Sequence, residues 1–102
     1  MGKVRKPVVK CTSDSIRVSW RKPYNSALSP TGYRLVCFPK GATDSEDEQT
    51  VNLDKINRTT MSFKNLKPEL EYVVKIYTVA GDRESEQVKV SAKTGAWIVM
   101  HF

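Results

Sequence analysis

One short segment in the middle of the chain constrains the fold more than any other, and it reads Leu66-Lys67-Pro68-Glu69-Leu70-Glu71-Tyr72. Its tyrosine opens an alternating apolar run over residues 72–79. This spacing predicts a tyrosine corner, where the chain passes between the two sheets of a sandwich and the tyrosine hydroxyl bonds to an upstream backbone group. Leu66 would fill the core below the turn, and Pro68 would fix the φ angle of the turn.

Further alternating segments agree with a sandwich. They cover residues 15–20, 33–38, 59–64 and 87–94, and clusters of proline, glycine, serine and asparagine separate them. Strict alternation of polar and apolar residues is typical of strands with one buried face. No stretch of the sequence has helical periodicity. The pattern predicts an all-β chain of six or seven short strands in an antiparallel two-sheet sandwich.

Together these segments resemble a fibronectin type III module over about residues 5–95. The resemblance is carried by the tryptophan strand 15–20, the segment 31–35, the corner 66–72, the run 72–79 and Lys93-Thr94. Glu69 departs from the family, which often has glycine there. The resemblance implies a seven-stranded immunoglobulin-like sandwich from a modular extracellular or cell-surface protein. It is most similar to matrix members such as fibronectin, tenascins and fibril-associated collagens.

The resemblance also sets expected domain limits. Residues 1–4 are expected to be a leader, and residues 96–102 an apolar tail or the start of a following segment. The sequence contains no apolar run of 18 residues and no signal peptide, so no membrane insertion is expected. Neighbouring domains of the same chain are expected partners.

Charge gives the main functional signal. Lysine and arginine number 17 against 11 acidic residues, for a formal net charge of +6. Part of the acidic charge is clustered at 44–48. If the strand faces follow the alternation, outward cations would converge on one sheet and attract a polyanion such as heparan sulfate. These candidate glycosaminoglycan-binding residues are Lys10, Arg17, Arg21 and Lys64. The alternative is an ordinary scattered surface charge.

Two other surfaces are candidate contacts with a matrix or cell-surface protein. The hairpin loop after residue 80 presents Asp82, Arg83 and Glu84, and its order Gly-Asp-Arg does not match the integrin-binding Arg-Gly-Asp of some family members. The alternative for this loop is a solvated turn. The outward phase of the other sheet is predicted to form an exposed apolar patch, unless lysine and arginine stems cover it. Its candidate residues are Val36, Phe38, Tyr77 and Val79.

Two possible covalent features remain open. The segment Asn57-Arg58-Thr59 is an N-glycosylation acceptor on an expected loop, although so short a motif also arises by chance. Cys11 and Cys37 are expected near the same end of the sandwich on opposite sheets. A disulfide between them is conceivable, and the alternative is two packed thiols.

The sequence favours a non-catalytic adhesion or spacer module that is extracellular. The alternatives are a glycosaminoglycan-binding module, a receptor ectodomain module and an intracellular interaction module, the last favoured by reduced cysteines and an unmodified Asn57. No metal, cofactor or catalytic site is expected, because the only histidine is His101 and no phosphate-binding glycine loop is present. Nucleic acid is not an expected partner, because outward aromatic residues do not interleave with the basic ones.

Overall fold

The computed structural model describes residues 2–24, 29–41 and 48–95, which form two antiparallel sheets packed face to face. Residues 44–47 of the predicted acidic cluster at 44–48, and the apolar tail at 96–102, lie outside the described residues. The strands are β1 Arg5–Cys11, β2 Ile16–Arg21, β3 Gly32–Pro39, β4 Gln49–Leu53, β5 Thr60–Phe63, β6 Glu71–Ala80, β7 Arg83–Glu84 and β8 Val88–Lys93.

The first sheet has the order β1-β2-β5, and the second has β4-β3-β6 with both β7 and β8 paired to β6. The predicted sandwich class is therefore confirmed, with eight strands among the described residues in place of the seven expected. The last strand is divided because residues 85–87 leave the ladder, and there the Ser85 hydroxyl accepts a hydrogen bond from the Thr78 amide at 3.0 Å. Neither β1 nor β4 is among the segments predicted from alternation.

The core lies between the sheets and follows the predicted inward phase. Ile16, Val18 and Trp20 of β2 are buried against residues of β3 and β6 in the opposite sheet. The Trp20 and Tyr33 rings meet edge to face, with their centroids 5.1 Å apart. Val4 is also a core residue, only 5% exposed, so the packed domain includes part of the expected leader.

The tyrosine corner has the expected geometry. The Lys67 amide donates to the Tyr72 hydroxyl at 2.9 Å, and Leu66 is buried beneath the turn. Glu69 has a φ of 54°, a left-handed conformation that glycine adopts at no steric cost. The buried Thr94 hydroxyl accepts from the Leu70 amide at 3.0 Å, so the end of the domain is tied to the corner.

The two ends of the described chain lie at opposite ends of the sandwich. The Arg5 Nε donates to the Lys22 carbonyl at 2.8 Å, beside the loop that follows β2. The Gly95 amide donates to the Thr12 carbonyl at 3.0 Å, in the turn between β1 and β2. Because β1 runs from Arg5 to Cys11, these two anchor points are separated by the length of that strand.

Candidate functional site

The outer face of the first sheet brings basic side chains together across three strands. Lys10 of β1 lies directly opposite Arg17 of β2, and Arg17 lies opposite Ser62 of β5. A register shift between Arg5 and Val8 precedes this row, and both Lys10 and Arg17 are exposed on the outer face. Like charges placed directly opposite each other destabilise a sheet. An anion bound between them would remove that repulsion.

Two shallow hollows flank Arg17, and its side chain lines both. One, of about 300 Å³, is lined by Arg17, Arg58, Thr60, Met61, Ser62 and Lys64. The other, of about 240 Å³, is lined by Val8, Lys10, Arg17 and Ser19. No acidic side chain of the described chain lines either hollow. Hydroxyl donors and cations are therefore the polar side chains that these hollows offer to a ligand. The basic residues around them, Lys10, Arg17, Arg58 and Lys64, are here called the cationic face.

The cationic face is also free of internal ion pairs within the described ranges. The ion pairs among the described residues join Lys3 to Glu86, Arg34 to Glu84 and Lys40 to Glu71, and none of them involves a residue of the cationic face. A lysine or arginine without an ion pair has no carboxylate to give up when an anion binds. The face can therefore attract a polyanion without first breaking a contact within the described residues.

The structure brings three of the four predicted basic residues together and separates the fourth. Lys10, Arg17 and Lys64 surround the hollows, whereas Arg21 lies opposite Arg5 near the other end of β1 and lines neither hollow. The residue that sequence reasoning missed is Arg58. Arg58 precedes β5 in a turn, where no strand alternation shows which way its side chain points. From the sequence, it was identified only as the middle residue of the glycosylation motif.

The hairpin after β6 has the glycine turn that the sequence offered as the alternative to a contact loop. Its two-residue turn has Gly81 at a φ of 65°, and β7 begins at Arg83. The Glu84 carboxylate accepts two hydrogen bonds from the Arg34 guanidinium, of which Nη2–Oε1 is 3.0 Å. The hydrogen bond from Arg34 lowers the pKa of Glu84. Glu84 is thus engaged by β3, while Asp82 and Arg83 are exposed and remain predicted contact residues.

The predicted exposed apolar patch is wrong. Val36 is only 7% exposed, and Phe38, Tyr77 and Val79 are half-buried. The Arg34 guanidinium lies over the Tyr77 ring at 4.3 Å, and the Lys75 ammonium lies over the Phe38 ring at 5.3 Å. Long basic side chains therefore cover the two aromatic rings of this face, which was the alternative left open by the sequence.

The disulfide between Cys11 and Cys37 is not formed, and both cysteines are free. Cys37 is buried in β3 of the second sheet, where burial raises its thiol pKa to about 12. Cys11 is exposed at the end of β1, the edge strand of the first sheet. Alternation placed Cys37 correctly inside, but it could not place Cys11 relative to a strand in the other sheet.

Asn57 is exposed, as expected for a glycosylation acceptor. It lies in the turn between β4 and β5, which is closed by a 3.0 Å hydrogen bond from the Arg58 amide to the Lys55 carbonyl. Within the described ranges there is no group of three or more histidine, cysteine or acidic side chains that could hold a metal ion. That part of the chain also contains no helix long and apolar enough to cross a membrane.

Comparison with known proteins identifies the class. The sequence model of the fibronectin type III domain family matches residues 3–91, so the chain belongs to this family. Members of the family are generally non-catalytic modules. It is 35% identical over 83 residues to the collagen alpha-1(XII) chain of Oryctolagus cuniculus. That match covers 81% of this chain but 12% of the collagen.

Solved structures of the same class superimpose closely. A two-domain fibronectin type III segment of chicken tenascin matches with a TM-score of 0.79 and 26% identity, over 92% of this chain and 50% of that one. A fibronectin type III domain of human collagen XX matches with a TM-score of 0.78 and 20% identity, over 92% of both chains. The chain thus resembles modules of larger matrix proteins.

Proposed function

We propose that the chain is a non-catalytic adhesion or spacer module of a larger extracellular or cell-surface protein. Its similarity to a short part of a collagen chain and to one half of a two-domain tenascin segment supports this proposal. The anchored ends support it too, because they lie at opposite ends of the sandwich. Copies joined end to end would form an elongated array that displays the sheet faces to matrix or cell-surface partners.

The cationic face is the contact surface that the geometry favours, and its ligand is a sulfated glycosaminoglycan such as heparan sulfate. The observation that carries this proposal is the placement of Arg17 between two hollows with no ion pair to a described carboxylate. A linear polyanion laid across β1, β2 and β5 would contact Lys10, Arg17 and Lys64 at once. Its attraction would weaken with salt because the contacts are exposed.

Nucleic acid fits this surface less well. Single-stranded nucleic acids bind through aromatic rings on which bases stack, together with a cationic groove. Among the described residues that line the hollows, none is aromatic. The aromatic side chains Phe38 and Tyr77 lie on the other sheet, where Lys75 and Arg34 already occupy positions over their rings.

Elution from immobilised heparin along a salt gradient tests the proposal. The site variant is Arg17→Ala/Lys64→Ala, and the matched control is Lys89→Ala/Lys93→Ala on β8, which removes the same number of charges from the other sheet. We expect the wild type and the control to elute above physiological salt and the site variant to elute at clearly lower salt. If both variants shift to the same lower salt concentration, binding depends only on net charge, and the proposal of a defined site is contradicted.

The free cysteines favour a second candidate, an intracellular interaction module, because reduced thiols are usual in the cytosol. The two candidates differ in whether Asn57 carries a glycan in the native protein, since N-glycosylation occurs in the secretory pathway. Mass analysis of peptides that contain Asn57, taken from tissue, separates them. A glycan there excludes the intracellular candidate.

A further inference from the structure

The turn between β4 and β5 holds Asn57 in an ordered, solvent-facing position. The Arg58 amide closes the turn onto the Lys55 carbonyl at 3.0 Å. From the core side, the Tyr33 hydroxyl donates to the Ile56 carbonyl at 2.8 Å. Burial raises the pKa of Tyr33, so the hydroxyl stays protonated and keeps this donor role at neutral pH. Asn57, which follows Ile56, is therefore held on a backbone that hydrogen bonds fix on both sides.

The same turn also carries Arg58, a residue of the cationic face. Arg58 lines the larger hollow together with Arg17 and Lys64. Asn57 precedes Arg58 directly, so their Cα atoms are about 3.8 Å apart. Any group attached to the Asn57 amide would begin one residue from the larger hollow. The motif Asn57-Arg58-Thr59 thus joins an acceptor for a bulky modification to a residue of the proposed binding surface.

We propose that Asn57 is N-glycosylated and that the glycan limits access of polyanions to the cationic face. This inference rests on the proposed function. In the modification, the Asn57 side-chain nitrogen loses a proton and bonds to the anomeric carbon of a lipid-diphosphate-linked oligosaccharide. The bond from that carbon to the diphosphate oxygen breaks, and the lipid diphosphate leaves. The product is neutral at Asn57 but carries a bulky, hydrated chain.

The cationic face would therefore exist in two forms, one without the glycan and one with it. Without the glycan, a polyanion can lie across β5, β2 and β1 and contact both hollows. With it, the space beside Arg58 is occupied, and the contacts of Arg58 and Lys64 are the first to be lost. Lys10, on the far side of Arg17, would keep its contacts, so we expect weakened binding and not its abolition.

The experiment uses the full chain secreted from animal cells behind a cleavable signal sequence, with glycan processing blocked at the high-mannose stage. The variants are Asn57→Gln, which removes the acceptor, and Thr59→Ser, a control that retains it. Intact mass measures occupancy, and heparin elution measures binding. An endoglycosidase that leaves one sugar on the asparagine supplies a third form that has no change in sequence.

We expect glycan mass on the wild type and on Thr59→Ser but not on Asn57→Gln. The glycosylated forms should elute at lower salt than Asn57→Gln, and trimming should move them toward it. Absence of glycan on the wild type overturns the inference, as does identical elution of the glycosylated and trimmed forms. If Asn57→Gln itself elutes at or below physiological salt, the proposed function fails and the access role fails with it. Glycan mass on the wild type would then still establish the modification site.

Discussion

The outer faces of the two sheets carry similar basic side chains but use them differently. On the second sheet, Arg34 is held by Glu84 and lies over the Tyr77 ring, and Lys75 lies over the ring of Phe38. On the first sheet, Lys10 and Arg17 lie side by side without a carboxylate partner among the described residues. The first arrangement stabilises the domain, whereas the second leaves charge available for a ligand.

The difference shows that net charge is a poor guide to a binding surface. A formal charge of +6 says how many cations exceed the acidic residues. Only the pairing of each cation shows whether it can contribute to binding. Arg34 has partners on two strands and would lose them on binding an anion. Arg17 would lose none among the described residues, and binding would also relieve its repulsion with Lys10.

The largest expected effect is a loss of stability of the whole sandwich, because the two sheets share one core. Trp20→Ala should lower the free energy of unfolding by about 3–5 kcal/mol, because Trp20 is only 4% exposed and packs on Tyr33. Val8→Ala is the control, since Val8 lies on the same sheet but is 54% exposed, and it should change stability by less than about 0.5 kcal/mol. Urea unfolding followed by circular dichroism measures both. Equal costs would contradict the assigned core.

Replacing one arginine on each sheet tests whether the two outer faces use their basic side chains differently. Arg34→Ala should cost about 1 kcal/mol of stability, because it removes a bidentate ion pair and a cation–π contact. Arg17→Ala should leave stability within about 0.5 kcal/mol of the wild type. Heparin elution should show the reverse order, with the larger shift for Arg17→Ala. A stability loss for Arg17→Ala as large as that for Arg34→Ala would show that the two faces are not used differently.

The smallest expected effect is a pH dependence confined to the second sheet. The hydrogen bond from Arg34 lowers the pKa of Glu84 below its ordinary 4.5. The unfolded chain therefore takes up this proton first as the pH falls, and the stabilisation present above pH 4.5 is lost as the pH falls through the lowered folded value. Because the pair is partly exposed, the loss should be small.

Thermal unfolding of the wild type and of Glu84→Gln across this pH range measures the effect. The difference in melting temperature between the two proteins should be present at neutral pH and should shrink in acid. A difference that does not change with pH would mean that the Glu84 carboxylate contributes nothing through its charge.

Much of the fold could be predicted because its determinants are local. The spacing from Leu66 to Tyr72 predicted the corner, and the structure shows the Tyr72 hydroxyl accepting from the Lys67 amide. Alternation in β2 correctly placed Ile16 and Val18 inside. Strand β4 was missed because its side chains are mostly polar, and its pairing with β3 is what makes it a strand.

The candidate site could be predicted only in part. Outward alternation was sufficient for Arg17 and Lys64, because each lies on or beside an alternating strand. Lys10 was also named, but it lies in β1, where the sequence does not alternate and the register shifts between Arg5 and Val8. Arg58 was missed because a turn has no period from which its direction could be read. Val36 was placed on the correct face but wrongly expected to be exposed, because alternation gives the face of a side chain and not what covers it.

The sequence by itself determined the class of fold, the corner and the phase of the main strands, because these depend on residues a few positions apart. Only the tertiary structure decided which basic side chains are paired. Arg34 and Glu84 are 50 positions apart, and they meet because β3 and β7 both pair with β6. Lys10, Arg17, Arg58 and Lys64 meet for the same kind of reason. Strand register is set by the packing of the whole sandwich, so it fixes contacts that no local pattern encodes.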